Sequence, residues 1–110
     1  MRVALDHDRA TILIGDSADL GSVLRPCTID AIVCDPPSGI AFMGKTWDTD
    51  KGGRDAWIEW LARTIAPAFA ALKPGGHGLF WALPRTSHWT ALALELAGFE
   101  IRDRVTHLFG

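Results

Sequence analysis

The chain has 110 residues, of which 48% are hydrophobic, and a formal net charge of −2 at pH 7; this allows one well-cored domain and excludes a disordered chain or a polycationic coat for nucleic acid. No run approaches the roughly 20 apolar residues of a membrane span, and Asp6, His7, Asp8 and Arg9 leave the N-terminus without a signal-peptide core. Cys27 and Cys34 have neither disulfide nor zinc spacing, so a cytoplasmic protein with no membrane partner is expected.

In chain order, Thr11-Ile12-Leu13-Ile14-Gly15-Asp16 reads as a strand and Ala18 to Leu24 as a short helical turn before Pro26. Ala31 to Cys34 is a second strand, a continuous apolar run of the kind found where both sheet faces are covered. A long loop follows from Gly39 to Gly53, and loops of that length are usually functional or disordered. A helix capped by Asp55 comes next, its face marked by Ile58, Leu61, Ala62, Ile65, Phe69 and Leu72. Pro67 should kink or divide it, and Lys73-Pro74-Gly75-Gly76 should end it.

Gly78 to Leu83 reads as a third strand ended by Pro84. Thr86 or Ser87 can cap a further helix with Trp89, Leu92, Ala93 and Leu96 on one face and Gly98 as its stop. Phe99 to Leu108 alternates apolar and polar residues and reads as a last strand. Strands alternating with helices imply an α/β fold with a mostly parallel sheet. The chain stops at Phe109-Gly110 without a closing element after that strand, which reads as a domain cut short.

The most informative residues are Asp35-Pro36-Pro37, directly after the second strand. Two prolines remove two backbone donors, fix two φ angles and force Asp35 into an extended conformation. The result is a rigid corner of acceptors, suited to a substrate that offers hydrogens, such as an amino group; the plainer reading is a stiff surface turn. In open α/β sheets ligands bind beyond the carboxyl ends of strands. Asp35 and Asp16 both lie at such ends and should face one crevice, unless Asp16 only caps the helix after it.

Gly39 to Thr46 also fits the phosphate-binding pattern G-x-x-x-x-G-K-[ST]. That loop must lead straight into a helix, and Trp-Asp-Thr-Asp-Lys-Gly-Gly is poor helix material. Among five tryptophans, Trp57, Trp60 and Trp89 fit helix-face packing, whereas Trp47, in the loop, can stack on a flat ligand or plug the loop onto the sheet. Lys45, Lys51 and Arg54 give the loop positive charge that Asp48, Asp50 and Asp55 offset. His7, His77, His88 and His107 lack metal-ligand spacing.

Together, the strand and Asp-Pro-Pro corner, the loop Gly-Ile-Ala-Phe-Met-Gly-Lys-Thr-Trp-Asp, the turn Lys-Pro-Gly-Gly-His and the closing Gly-Phe-Glu-Ile-Arg-Asp resemble the N-terminal half of bacterial and phage site-specific DNA amino-methyltransferases of the permuted class. The resemblance runs from Ile12 onward. It implies a Rossmann-like α/β fold, here incomplete, S-adenosylmethionine as methyl donor, and double-stranded DNA with a flipped base as partner. It places Asp35, Pro36, Pro37 and Ser38 in the catalytic signature and Asp16 against the cofactor's adenosine. Adenine N6 is expected over cytosine N4, because the N4 enzymes more often begin the signature with Ser.

Two departures from the family pattern stand out. Ser38 occupies the position of the family's stacking aromatic, so stacking must come from Phe42 or Trp47, with Lys45 beside them as a further substrate contact. The Phe-x-Gly-x-Gly segment that grips the cofactor, and a target-recognition segment, are missing from these residues. The 110 residues alone are therefore expected neither to bind S-adenosylmethionine tightly nor to methylate DNA. The alternatives are an inert remnant or interaction module of the same fold and, more remotely, a P-loop nucleotide hydrolase.

Overall fold

In a computed structural model the backbone of residues 1–110 is described throughout, as is every side chain except that of Phe42. The chain begins with β1 (Arg2–His7) and β2 (Ala10–Ile14), which pair antiparallel as a hairpin. A 3-10 turn (Ser17–Ser22) leads to β3 (Ile29–Cys34), followed by two further 3-10 turns (Phe42–Gly44 and Thr46–Asp48). Then come α1 (Arg54–Ala71), β4 (Leu72–Phe80) and α2 (Ser87–Ala97). The fold is α/β, and β3–α1–β4 is a crossover unit whose strands pair in parallel, Ala31 with His77 through Cys34 with Phe80. The parallel sheet has these two strands, and the hairpin forms its own sheet.

The core lies between α1 and α2. Trp57, Ile58, Leu61, Ala62 and Ile65 recur at helical spacing and bury against Ala93 and Leu94, with Phe80 and Phe99 packed onto them. Full burial of each large apolar side chain stabilises by about 1.5–3 kcal/mol, so this stripe fixes α1 in place. The amides of Cys27 and Thr28 bond the Ala70 and Ala71 carbonyls (3.1 and 2.8 Å), which satisfies the end of α1 and delivers the chain into β3. Among the described residues no helix is long and apolar enough to cross a membrane.

Several expectations from the sequence need correction. The first expected strand, observed as Ala10–Ile14, pairs antiparallel with Arg2–His7 in a sheet of its own and takes no part in the parallel sheet. Pro67 does not divide α1, which runs unbroken through it. Gly53, at φ 130°, holds the N-cap position in place of Asp55, which sits in the first turn bonded to Arg54 (2.9 Å). Leu72 leaves the helix and opens β4, paired with Ile29, and the Lys73–Gly76 stretch makes the ladder irregular there. β4 ends at Phe80, although Trp81 still donates to the Cys34 carbonyl (2.9 Å).

In α2 the buried residues are Thr90, Ala93 and Leu94, while Leu92 and Leu96 face outward. Gly98 ends the helix in a left-handed conformation, as expected. Residues 99–110 form no strand. Nor are both faces of the parallel pair covered: Val33 is 84% and Leu79 59% exposed.

Candidate functional site

β3 delivers the corner. Cys34, its last residue, is held by the Trp81 amide, and Asp35 follows with its side chain exposed while Pro36 and Pro37 are half-buried. Pro36, Pro37, Asp35 and Asp16 line one cleft of about 420 Å³, with Arg63 and Thr64 of α1 opposite. The two carboxylates thus share a crevice, although β2 and β3 belong to separate sheets and are not the adjacent strands of one sheet that the sequence suggests. Asp16 also caps the first 3-10 turn, its Oδ1 accepting from the Ala18 amide at 2.9 Å. Asp16 thus caps the turn and also lines the cleft.

Beyond the corner the loop is tightly organised around Asp48, which is 0% exposed. Its Oδ1 accepts from the Ser38 amide (2.5 Å) and the Gly39 amide (2.8 Å), and the Ser38 hydroxyl lies 3.2 and 3.1 Å from its two oxygens. The Asp48 carbonyl accepts from the Ala41 amide (2.6 Å). From the other side Thr86, buried at the start of α2, donates its hydroxyl to the Ser38 carbonyl (2.7 Å). Gly39, at φ 78°, rides directly over Trp57, where a Cβ would come 2.8 Å from Nε1. Only glycine fits both that φ and that clearance.

Trp57 is 0% exposed and forms an aromatic group with Trp89 and Trp60, ring centroids 5.7 and 6.4 Å away. Its Nε1 is buried and has no hydrogen-bond partner among the described residues. Trp47 stands apart from this group on the third 3-10 turn, 55% exposed and thus not a buried plug. Lys45 is exposed, and Lys51 lies 4.4 Å above the Trp60 ring. The side chain of Phe42, the other candidate for stacking on a base, lies outside the described residues.

Charge in the loop differs from the sequence expectation. Asp48 is turned inward, so at the surface it no longer offsets Lys45. Ser38 is hydrogen-bonded to Asp48 through its hydroxyl and to Thr86 through its carbonyl. The importance of Asp48 and Thr86 was not visible in the sequence, since neither lies at a periodic spacing from the corner. Thr46 opens a three-residue 3-10 turn that ends at Asp48, not the helix that a P-loop requires.

Cys34, half-buried beside Asp35, has its thiol pKa raised, first by burial and second by the Asp35 charge. Among the described residues no cluster of three or more His, Cys, Asp or Glu side chains could hold a metal ion. Comparison with known protein families, with characterised proteins and with solved structures yields no match to this chain.

Proposed function

We propose that this chain carries the catalytic corner of an S-adenosylmethionine-dependent DNA amino-methyltransferase, with adenine N6 as the favoured acceptor. The supporting observation is the corner of acceptors at the end of β3, lying in one cleft with Asp16. A cleft of about 420 Å³ is of the size that takes small ligands, and carboxylates on its wall suit a cationic ligand. Asp16 is the residue assigned to the cofactor's adenosine. The cofactor supplies an electrophilic methyl group on a sulfonium.

An exocyclic amine on an aromatic base is a weak nucleophile because its lone pair is delocalised into the ring. The Asp35 carboxylate and the Pro36 carbonyl each accept one of its hydrogens, which draws the nitrogen toward tetrahedral geometry and localises that pair. Such preorganised acceptors act through position and electrostatics, with no covalent intermediate. The base must leave the duplex to reach the corner. Trp47, half-exposed on the loop, offers a ring for it, and Lys45 a charge for the phosphate backbone.

The test is methyl transfer from radiolabelled S-adenosylmethionine to duplex DNA by the protein expressed from its complete reading frame, with the product nucleoside identified by chromatography. Expected are N6-methyladenine and a loss of at least about 100-fold in rate for Asp35→Ala. N4-methylcytosine would reassign the base, and no transferred label would sink the proposal in favour of an inert module of the same fold. A Trp47→Ala variant with unchanged rate and base affinity would remove Trp47 from the account.

A further inference from the structure

Pro36 and Pro37 have no backbone N–H, so neither can tie the corner down by donating. Upstream it is tied to the sheet through the Cys34 carbonyl and the Trp81 amide. Downstream the first two amides the chain can offer are those of Ser38 and Gly39, and both point at the same oxygen of Asp48. The Ser38 hydroxyl closes onto the same carboxylate, and Thr86 holds the Ser38 carbonyl from α2. A carboxylate shut away from water is costly unless several donors meet it, and charge-assisted bonds of this kind are about twice as strong as neutral ones. Trp57, also fully buried, floors the loop at Gly39 and fixes its depth.

We infer that Asp48 is a positioning residue: it fixes the Asp35-Pro36-Pro37 corner from behind, through Ser38 and Gly39, without touching substrate. This rests on the methyltransferase reading for its catalytic consequence, though not for the anchor itself. It also gives the fourth signature position a different role. Ser38 is a link in the anchor, in place of a ring against the base. Stacking and corner-fixing are thereby divided between two neighbours on one 3-10 turn, Trp47 facing outward and Asp48 inward. Small displacements of reacting groups are enough to slow a positioned reaction about 100-fold, so loosening the anchor should act on turnover more than on binding.

The experiment compares Asp48→Ala, Asp48→Asn and Asp35→Ala in the protein from the complete reading frame. Steady-state methyl transfer is read alongside hydrogen exchange at the Ser38 and Gly39 amides. For Asp48→Ala the expected result is a kcat about 100-fold lower, with the KM for S-adenosylmethionine little changed and both amides exchanging at least about tenfold faster. Asp48→Asn keeps one acceptor oxygen and should rescue part of both losses.

Wild-type kcat in Asp48→Ala, with Asp35→Ala inactive, overturns the positioning role and leaves the methyltransferase reading standing. Absence of transfer by the wild type overturns that reading instead. The anchor is then decided by exchange: loss of protection in the Asp48 variants supports it, and unchanged protection overturns it. Should Asp48→Ala fail to fold, Asp48→Leu, which keeps the side chain's size and removes both acceptor oxygens, carries the test, and wild-type kcat and exchange in it overturn the inference.

Discussion

The paired residues Cys34 and Phe80 on β3 and β4 are half-buried, and Phe80 packs onto the α1–α2 core, whereas their paired neighbours Val33 and Leu79 stand largely in solvent. One residue along each strand separates the two environments, because side chains alternate across a sheet. The corner grows from the covered side. Every anchor on the loop beyond it (Asp48, Trp57 beneath Gly39, Thr86) also belongs to the helical layer or to the loop packed on it. Precision at Asp35 therefore depends on one face of the sheet and hardly at all on the other. That dependence can be attacked at either face.

The largest effect is expected at Trp57. Truncation to Ala in a fully buried aromatic group should cost about 3–5 kcal/mol, read as a lowered denaturant midpoint. Trp57→Phe should recover much of the loss, since the indole Nε1 has no hydrogen bond among the described residues to forfeit. Trp57→Ala with an unchanged midpoint would mean that the helical layer is not the support of the corner.

Gly39→Ala comes next. The new methyl would meet the Trp57 ring at 2.8 Å in a backbone conformation that L residues rarely adopt, and overpacking of this kind costs about 1–3 kcal/mol. Because the Gly39 amide also binds Asp48, the variant should slow methyl transfer by more than its stability loss explains. Equal losses in both would show that Gly39 serves packing alone.

How much of this could be read in advance follows from how local each cause is. The corner was legible because a proline constrains its own φ and its predecessor with no help from the fold. The α1 stripe was legible because an 18-residue helix gives its period room to repeat. In α2, leucines at 92, 94 and 96 supply apolar groups on several sides of an 11-residue helix, and the chosen face missed Leu94. The alternation from Phe99 to Leu108 reports a surface fit for a strand, but a strand also needs a partner edge, and residues 99–110 have no ladder here. Val3 and Leu5, two residues apart and flanked by Arg2 and Asp6, have the spacing of one side of a strand, but Ala4 between them leaves the alternation weak. Asp48 could not be found in this way, since its partners lie nine and ten residues away across an irregular loop.

On the open face the expected effect is small. Val33→Ser changes a side chain that is 84% exposed, and substitutions at such sites usually fall within about 0.5 kcal/mol. The midpoint and the methyl-transfer rate should both stay near wild type. A loss comparable to that of Trp57→Ala would show that this face is covered in solution, and the contrast between the faces would collapse.

The smallest effect concerns Cys34 and sets the two faces side by side chemically. Burial, and after it the Asp35 charge, raise the Cys34 thiol pKa above the ordinary 9.0. The folded chain thus holds this proton more tightly than the unfolded chain does. Below pH 9.0 the thiol is protonated in both states and its contribution is fully present. As pH climbs above that value the unfolded chain releases the proton first, so stability falls until the folded thiol also ionises. Denaturant midpoints measured from about pH 8 to about pH 10 should decline less in Cys34→Ala than in the wild type. Asp35→Asn, which removes the second cause and leaves the first, should fall between them. A thiol introduced as Val33→Cys, one residue away on the open face, should be alkylated faster than Cys34 at the same pH, because the thiolate is the reactive form and is favoured where water reaches it. Equal alkylation rates would mean that water reaches both faces of β3 alike, and the contrast between the covered and the open face would not hold at Cys34.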